Sequence, residues 1–248
     1  MIWSLDQVHE FVSRLPDLDE GQCYLLMLTV RSRYVKEILG IKLPDTVLER
    51  EIVYWYYDDW RDVFIRKVRK LAVLGKHTED IYSIRKGGKC YPVPREALGI
   101  LAVINPADVR KALASMTGEV VSSVLLSNDL RAVANISKRW FANLHRRAKS
   151  VFHTIDIDDK GLLEPILSKL KAYTSPYMII ETTRGYHVIV HVPSLGDRAR
   201  GYFKYFVNWE LNVLMKSMAG NKIEYIKQGL EPVPGTIYGG HKIKLIGA

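Results

Sequence analysis

The run over residues 151–160, Val-Phe-His-Thr-Ile-Asp-Ile-Asp-Asp-Lys, restricts the fold of this chain more than any other segment. An apolar lead-in gives way to acids separated by a single isoleucine, and alternation with a period of two marks a half-buried strand. Asp156 and Asp158 then project from one face while Ile155 and Ile157 pack on the other. Neighbouring carboxylates repel each other and lose hydration unless a positive charge lies between them. A divalent cation resolves that conflict, and oxygen ligands on a strand favour Mg²⁺ or Mn²⁺. The alternative is an exposed strand end with a solvated acidic turn, and the pair alone does not separate the two. Asp159 falls on the opposite side or in the turn.

From residue 97 onward, strand and helix signals alternate. Residues 98–104 read as a strand, with Pro106 opening a helix to about Met116. Residues 120–126 read as a buried strand, followed by a helix over 128–147. Beyond the acidic strand come a helix over 162–173 and strands over 177–182 and 185–192 joined by a tight turn. A helix over 198–218 and short strands at 223–226 and 243–246 complete the chain. Before residue 97 the periodicity favours helices. The first, capped by Ser4, carries Val8, Phe11, Val12 and Leu15. A second, capped by Asp19, carries Tyr24, Leu25, Leu28 and Val35 as well as Arg31, Arg33 and Lys36. A third runs from Asp45 through Trp60 and Phe64 to Leu74. Gly87-Gly88 turns a β-hairpin, and Pro92 and Pro94 mark a boundary between residues 1–96 and 97–248. The expected fold is α+β, a mixed β-sheet flanked by helices behind a mainly helical N-terminal region.

Charge points to polyanions. The 248 residues carry a formal net charge of +9, and Arg66, Lys67, Arg69 and Lys70 form a dense run that is either a solvated helix face or a collective phosphate contact. No apolar run is long enough to span a bilayer, and the first residues lack the layout of a signal peptide, so a cytoplasmic location is expected, nucleoid-associated if the source is archaeal or bacterial. Cys23 and Cys90 are expected as buried, reduced thiols. No Cys/His spacing suits zinc.

Three further features bear on the acidic strand. Thr182-Thr-Arg-Gly-Tyr-His187 leads into a strand: Gly185 permits close backbone approach, Arg184 offers a planar fork for phosphate oxygens, and His187 can donate to a phosphate. A hairpin turn with a packed histidine is the plainer account. Glu224 is a lone acid within Ile-Glu-Tyr-Ile, suited to a third carboxylate in a two-metal site. The loop Pro232-Val-Pro-Gly-Thr-Ile-Tyr-Gly-Gly-His-Lys-Ile-Lys244 offers backbone amides with Thr236, His241, Lys242 and Lys244 beside them, a cradle for a triphosphate or a template backbone.

In that order, these motifs make residues 97–248 resemble the archaeo-eukaryotic primase superfamily, which comprises the small catalytic subunits of primases and the related primase-polymerases. The family's Asp-x-Asp strand, Ser-Gly-Arg-Gly-x-His motif and hydrophobic-acidic strand would be Asp156-Ile-Asp158, residues 182–187 and Ile223-Glu224. Threonine stands here at the usual serine (Thr182), glutamate at the usual third aspartate (Glu224), and Tyr238 where the small-subunit primases tend to carry a histidine. The resemblance implies a DNA-directed nucleotidyltransferase in which Asp156, Asp158 and Glu224 bind two Mg²⁺ or Mn²⁺ ions. Thr182, Arg184 and His187 would bind the triphosphate, with Thr236, His241, Lys242 and Lys244 at phosphate or template. Single-stranded DNA template and nucleoside triphosphates are the expected ligands, and a primase large subunit or another replication protein the expected partner. Two other classes suit the same residues: a catalytically decayed nucleic-acid-binding subunit of a replication complex, and a metal-dependent nuclease.

Overall fold

Ser4 caps the first helix, α1 (Leu5–Ser13), by accepting from the Gln7 amide, and Val8, Phe11 and Val12 turn inward as the spacing requires. The computed structural model describes residues 1–195, 197–211, 213, 222–227 and 229–247. The second expected helix is instead a strand, β1 (Gln22–Val30), buried along its whole length. Its uncharged run fits the centre of a sheet covered on both faces, and the i, i+4 spacing of Tyr24 and Leu28 is incidental to that. Only the part beyond Arg31 is helical, as α2 (Ser32–Leu39), which ends at Gly40 in the left-handed conformation.

The stretch opened by Asp45 is also a strand, β2 (Thr46–Tyr54). It alternates with period two: Glu51 reaches Lys67 and Lys70 on α3 (Trp60–Lys76), while Arg50 lies over the Phe141 ring. A short α4 (Thr78–Ile81) leads to the hairpin β3 (Ser83–Lys86) and β4 (Lys89–Pro92), as expected from its glycine turn. Cys23 is buried but Cys90, on this hairpin, is exposed, and both are free.

β5 (Leu98–Asp108) runs past the expected helix start. Pro106 lies where its pairing with β1 shifts register, a bulge that tolerates a residue without an N–H. Asp108 then caps α5 (Val109–Ser127) by accepting from the Lys111 amide. Residues 120–126, expected as a buried strand, form the last turns of this helix; an apolar run of that length is ambiguous between the two states. The turn-like α6 (Arg131–Ala134) and α7 (Ile136–Arg146) fold back on α5.

The acidic strand is β6 (Phe152–Ile157), followed by α8 (Leu163–Leu170), β7 (Met178–Glu181) and β8 (Tyr186–His191). The next helix, α9 (Asp197–Tyr205), continues as a π-helical turn over Phe206–Glu210, and its expected end at Met218 lies outside the described residues. Five short strands close the described chain: β9 (Ile223–Ile226), β10 (Leu230–Pro232), β11 (Ile237–Tyr238), β12 (His241–Lys242) and β13 (Lys244–Gly247). No helix among the described residues is long and apolar enough to cross a membrane.

The protein is α+β, but the single mixed sheet is replaced by two larger antiparallel ones, ordered β10-β5-β1-β2 and β13-β7-β8-β6-β9, beside two small hairpins. The first takes strands from both sides of residue 96, so the N-terminal part is half of a sheet and not a helical appendage. Ile155 and Ile157 of β6 pack outward under α8 and α9 with Ile166, Leu170, Phe203 and Phe206. Phe152, Met178, Ile180 and Ile189, on the other face of the second sheet, join the core that contains the first sheet. The two sheets therefore share one apolar core, and the acids of β6 lie on the face turned toward it.

Candidate active site

Antiparallel pairing sets His187 of β8, Asp156 of β6 and Glu224 of β9 in one row across three strands. Directly opposed residues project on the same face, so these side chains converge. Asp158 follows just beyond the strand, and its amide donates to the Lys222 carbonyl. Gly185 is required at the start of β8, because a Cβ there would lie 1.7 Å from the Ile157 carbonyl oxygen. The motif glycine thus permits the approach that aligns His187 with Asp156.

A cavity of about 370 Å³ opens over this row. Asp156, Asp158, Glu224, His187 and Thr182 line one side. Arg31 and Arg33, from the start of α2, line the other together with Tyr238 and Pro232. The Arg31 and Arg33 guanidinium carbons lie 5.8 and 6.0 Å from the centre of the Tyr238 ring. Each arginine has some fixed contacts: Arg31 pairs with Asp45 at 2.7 Å, and Arg33 donates to the Tyr34 hydroxyl at 2.8 Å. The Nε of both is buried with no hydrogen-bond partner among the described residues, and a guanidinium beside a cavity suits an anion. Burial, outweighing the two nearby guanidinium groups, pushes the Tyr238 phenol up to about 12, so it stays neutral.

A residue without any motif organises the acid row. Glu231, on β10 of the first sheet, is fully buried. It accepts from the Thr154 hydroxyl at 2.6 Å and from His187 Nδ1, while His187 Nε2 lies 3.3 Å from Asp156 Oδ1. Burial disfavours the charged imidazole, but Glu231, Asp156 and Asp158 overcome it and raise His187 to about 9. Burial raises Asp156 as well, with Asp158, Glu231 and Glu224 adding to the shift and the His187 charge opposing it.

The donor set suits a hard divalent cation in kind: three carboxylates on one cavity wall, one of them strained by its neighbours. Among the described residues, no three His, Cys, Asp or Glu side chains are already disposed around a single ion. Asp159 stands apart, pairing with Lys222 at 2.7 Å and accepting from the Gly161 amide.

The expected phosphate cradle is not one. The amides of Gly235, Thr236, Ile237 and Gly239 already donate to the carbonyls of Ile243, Val233, Met1 and Leu98. Buried Thr236 donates its hydroxyl to Val233. His241 and Lys242 sit exposed on the β11–β12 hairpin, Lys242 over the Trp3 ring, and Lys244 pairs with Glu181 at 3.2 Å. None of these lines the cavity. The loop ties the chain's first residues to the sheet, and only Pro232 and Tyr238 face the site. Arg184 also points elsewhere, 3.6 Å from Glu37.

Thus Asp156, Asp158, Glu224, Thr182 and His187 come together, while Arg184, Thr236, His241, Lys242 and Lys244 do not join them. Arg31, Arg33 and Glu231 were not foreseen as site residues. Recognising β1 as a strand would have placed both arginines just past a strand end, whereas nothing around Glu231 distinguishes it from any acid in an apolar run. No family model, characterised protein or solved structure matches this chain.

Proposed function

We propose that the chain is a template-directed nucleotidyltransferase of the primase-polymerase type, acting on nucleoside triphosphates along a single-stranded DNA template. One observation carries the reading: a row of carboxylates and two arginines line the same cavity. Acids alone would equally suit hydrolysis of a nucleic-acid chain. Acids opposed to guanidinium groups suit a polyphosphate, whose charge needs cations on every side.

Asp156, Asp158 and Glu224 would hold the Mg²⁺ or Mn²⁺, which when bound supplies Lewis acidity toward a 3′-hydroxyl and the phosphates. In the transfer, the 3′-hydroxyl gives up its proton to solvent, its oxygen bonds to the α-phosphorus, the bond from that phosphorus to the bridging oxygen of the β-phosphate breaks, and pyrophosphate leaves. Arg31 and Arg33 bind the charged oxygens of the triphosphate. His187, kept protonated by Glu231, holds Asp156 in place and adds a positive charge to the acid wall. The Thr182 hydroxyl accepts from the Gly185 amide at 3.3 Å, which leaves its own proton to donate to a phosphate oxygen.

A second reading is favoured by the His187 contact with one Asp156 oxygen and by the absence of a pre-closed ion cage among the described residues. On it, the fold binds nucleic acid without catalysis. Incorporation of labelled nucleotide on a primed single-stranded template, with Mg²⁺ or Mn²⁺, separates the two. Activity that the Asp156→Ala, Asp158→Ala double variant loses while still binding DNA supports the transferase. DNA binding without incorporation in the parent chain supports the second reading, and full activity in the double variant overturns the assignment of these acids.

A further inference from the structure

Behind the acid row, on the opposite face of the second sheet, lies another cavity, of about 320 Å³. Strand alternation puts it there. Tyr225 follows Glu224 on β9 and is paired with Ile155, so its side chain projects away from the acids. His153 of β6 projects the same way. From α9, buried Phe203 joins them: ring centres lie 5.5 Å apart for His153 and Tyr225, 6.3 Å for His153 and Phe203, and 6.4 Å for Phe203 and Tyr225. One part of the lining is therefore aromatic.

The other part is cationic. Arg200 and Lys204 stand one turn apart on α9, Lys227 follows the end of β9, and all three are exposed. Arg200 donates to the Pro193 carbonyl at 3.3 Å, which holds its guanidinium beside the chain entering the helix. The ammonium groups of Lys204 and Lys227 have no ion pair or hydrogen bond among the described residues, and no carboxylate among those residues lines the cavity. That differs from the lysines elsewhere on the chain: Lys67 and Lys70 share Glu51, and Lys160 and Lys244 share Glu181. Burial and the Lys227 charge together hold His153 below its ordinary value, so the imidazole stays neutral. Its Nε2 lies 2.5 Å from the Ser150 hydroxyl and its Nδ1 meets the Tyr225 hydroxyl. A neutral ring donates through one nitrogen and accepts at the other, so one of these hydroxyls keeps its own proton for a further acceptor.

The helix is irregular at this place. The π-helical turn over Phe206–Glu210 begins two residues after Lys204, and Val207 from it lines the cavity. Such turns are rare and recur at functional sites. The volume lies at the small end of ligand cavities, which run from about 300 to 1,000 Å³, and is far more than a bare anion needs. Three cations converging on one cavity suit a single phosphate monoester, which carries about −1.5 to −2 charges at neutral pH. An aromatic wall beside them suits an apolar body attached to it. We infer that the cavity between α9 and the back of β6 and β9 is a second binding site, which takes a small phosphate monoester with an aromatic body, of the nucleoside monophosphate class. It is independent of the transferase activity proposed above.

Isothermal titration calorimetry of the full chain with adenosine 5′-monophosphate, without divalent metal or template, tests it. Saturable binding at submillimolar concentration is expected, with adenosine and inorganic phosphate each at least about tenfold weaker, since each lacks one half of the contacts. The Lys204→Ala, Lys227→Ala double variant should weaken the monophosphate by at least about tenfold, the loss of a charge-assisted contact. Both positions are exposed, so circular dichroism should match the parent. Arg31→Ala, in the other cavity, should bind the monophosphate as the parent does. Absence of saturation overturns the proposal, and so does binding that Arg31→Ala abolishes while the double lysine variant retains it. Inorganic phosphate binding as tightly as the monophosphate overturns the assigned class of ligand. An oligodeoxynucleotide without a terminal phosphate that binds these lysines more tightly than the monophosphate makes the face a strand-binding surface and overturns it equally.

Discussion

The two walls of the cavity are made in opposite ways. The acid wall is a row across three neighbouring strands, each side chain set by antiparallel register. The basic wall is assembled from the first turn of α2, a hairpin tyrosine and the end of β10, which meet only through the packing of two sheets. Register is local and survives small shifts of the core. A wall built across a core interface depends on every contact beneath it. Glu231 joins the two: it belongs to the first sheet yet grips Thr154 and His187 of the second. The largest effect should therefore come from Glu231→Ala. It takes the buried acceptor from a charged imidazole and a hydroxyl where the two sheets meet, and removing one partner of a buried pair costs about 3–5 kcal/mol. Urea unfolding should show that loss. A change under about 1 kcal/mol would mean the walls are not coupled through this residue.

Almost as large is a pH effect on the same pair. His187 is raised from 6.5 to about 9 in the folded protein, so folding takes up its proton more tightly than the unfolded chain does. The resulting stability is complete below about pH 6.5 and is lost as the pH rises through about 9, on the order of 3 kcal/mol in all. Unfolding free energies measured between pH 6 and 10 should fall across that window. In Glu231→Gln the fall should flatten, since the negative charge that holds the proton is gone. An unchanged slope in that variant would assign the pH dependence to other groups.

The contrast also shows what was legible beforehand. Period-two alternation at Asp156 and Asp158 requires only local chemistry, and the fold places both as the pattern requires. Gly185 and His187 were legible for the same reason: a close approach and a strand start lie within a few residues of each other. β1 was not. Its apolar run carries helical and strand spacings together, and only its position between two other strands decides the matter. With β1 misassigned, Arg31 and Arg33 became two charges on a helix face, and their place in the cavity vanished. Residues 120–126 failed in the other direction: an apolar run implied burial, and the fold leaves that helix face open. Glu231 is harder still, because its role depends on which sheet faces which, and residues 44 and 77 positions away supply its partners.

Smaller effects separate the walls from one another. On the proposed transferase reading, Arg31→Ala and Arg33→Ala should each raise the KM for nucleoside triphosphate about tenfold, the loss of one charge-assisted contact, with kcat changing less. Steady-state kinetics at fixed template reads this directly. If either substitution lowers kcat and leaves KM alone, the arginines act only on the transition state and the basic wall is not a binding wall.

The smallest effect is expected where sequence alone placed a phosphate cradle. The loop amides are already spent on carbonyls of the same chain, and Lys242 stands exposed over Trp3, away from the cavity. Lys242→Ala and His241→Ala remove surface groups with no share in the core, so KM and stability should stay within about twofold and about 0.5 kcal/mol of the parent. Glycine-rich loops bind phosphate only when their N–H groups remain free to point at it, and here folding has used them to hold the first residues of the chain. A tenfold rise in KM on losing Lys242 would show that the hairpin closes over the substrate, and the contact between Lys242 and Trp3 would then have to break during the catalytic cycle.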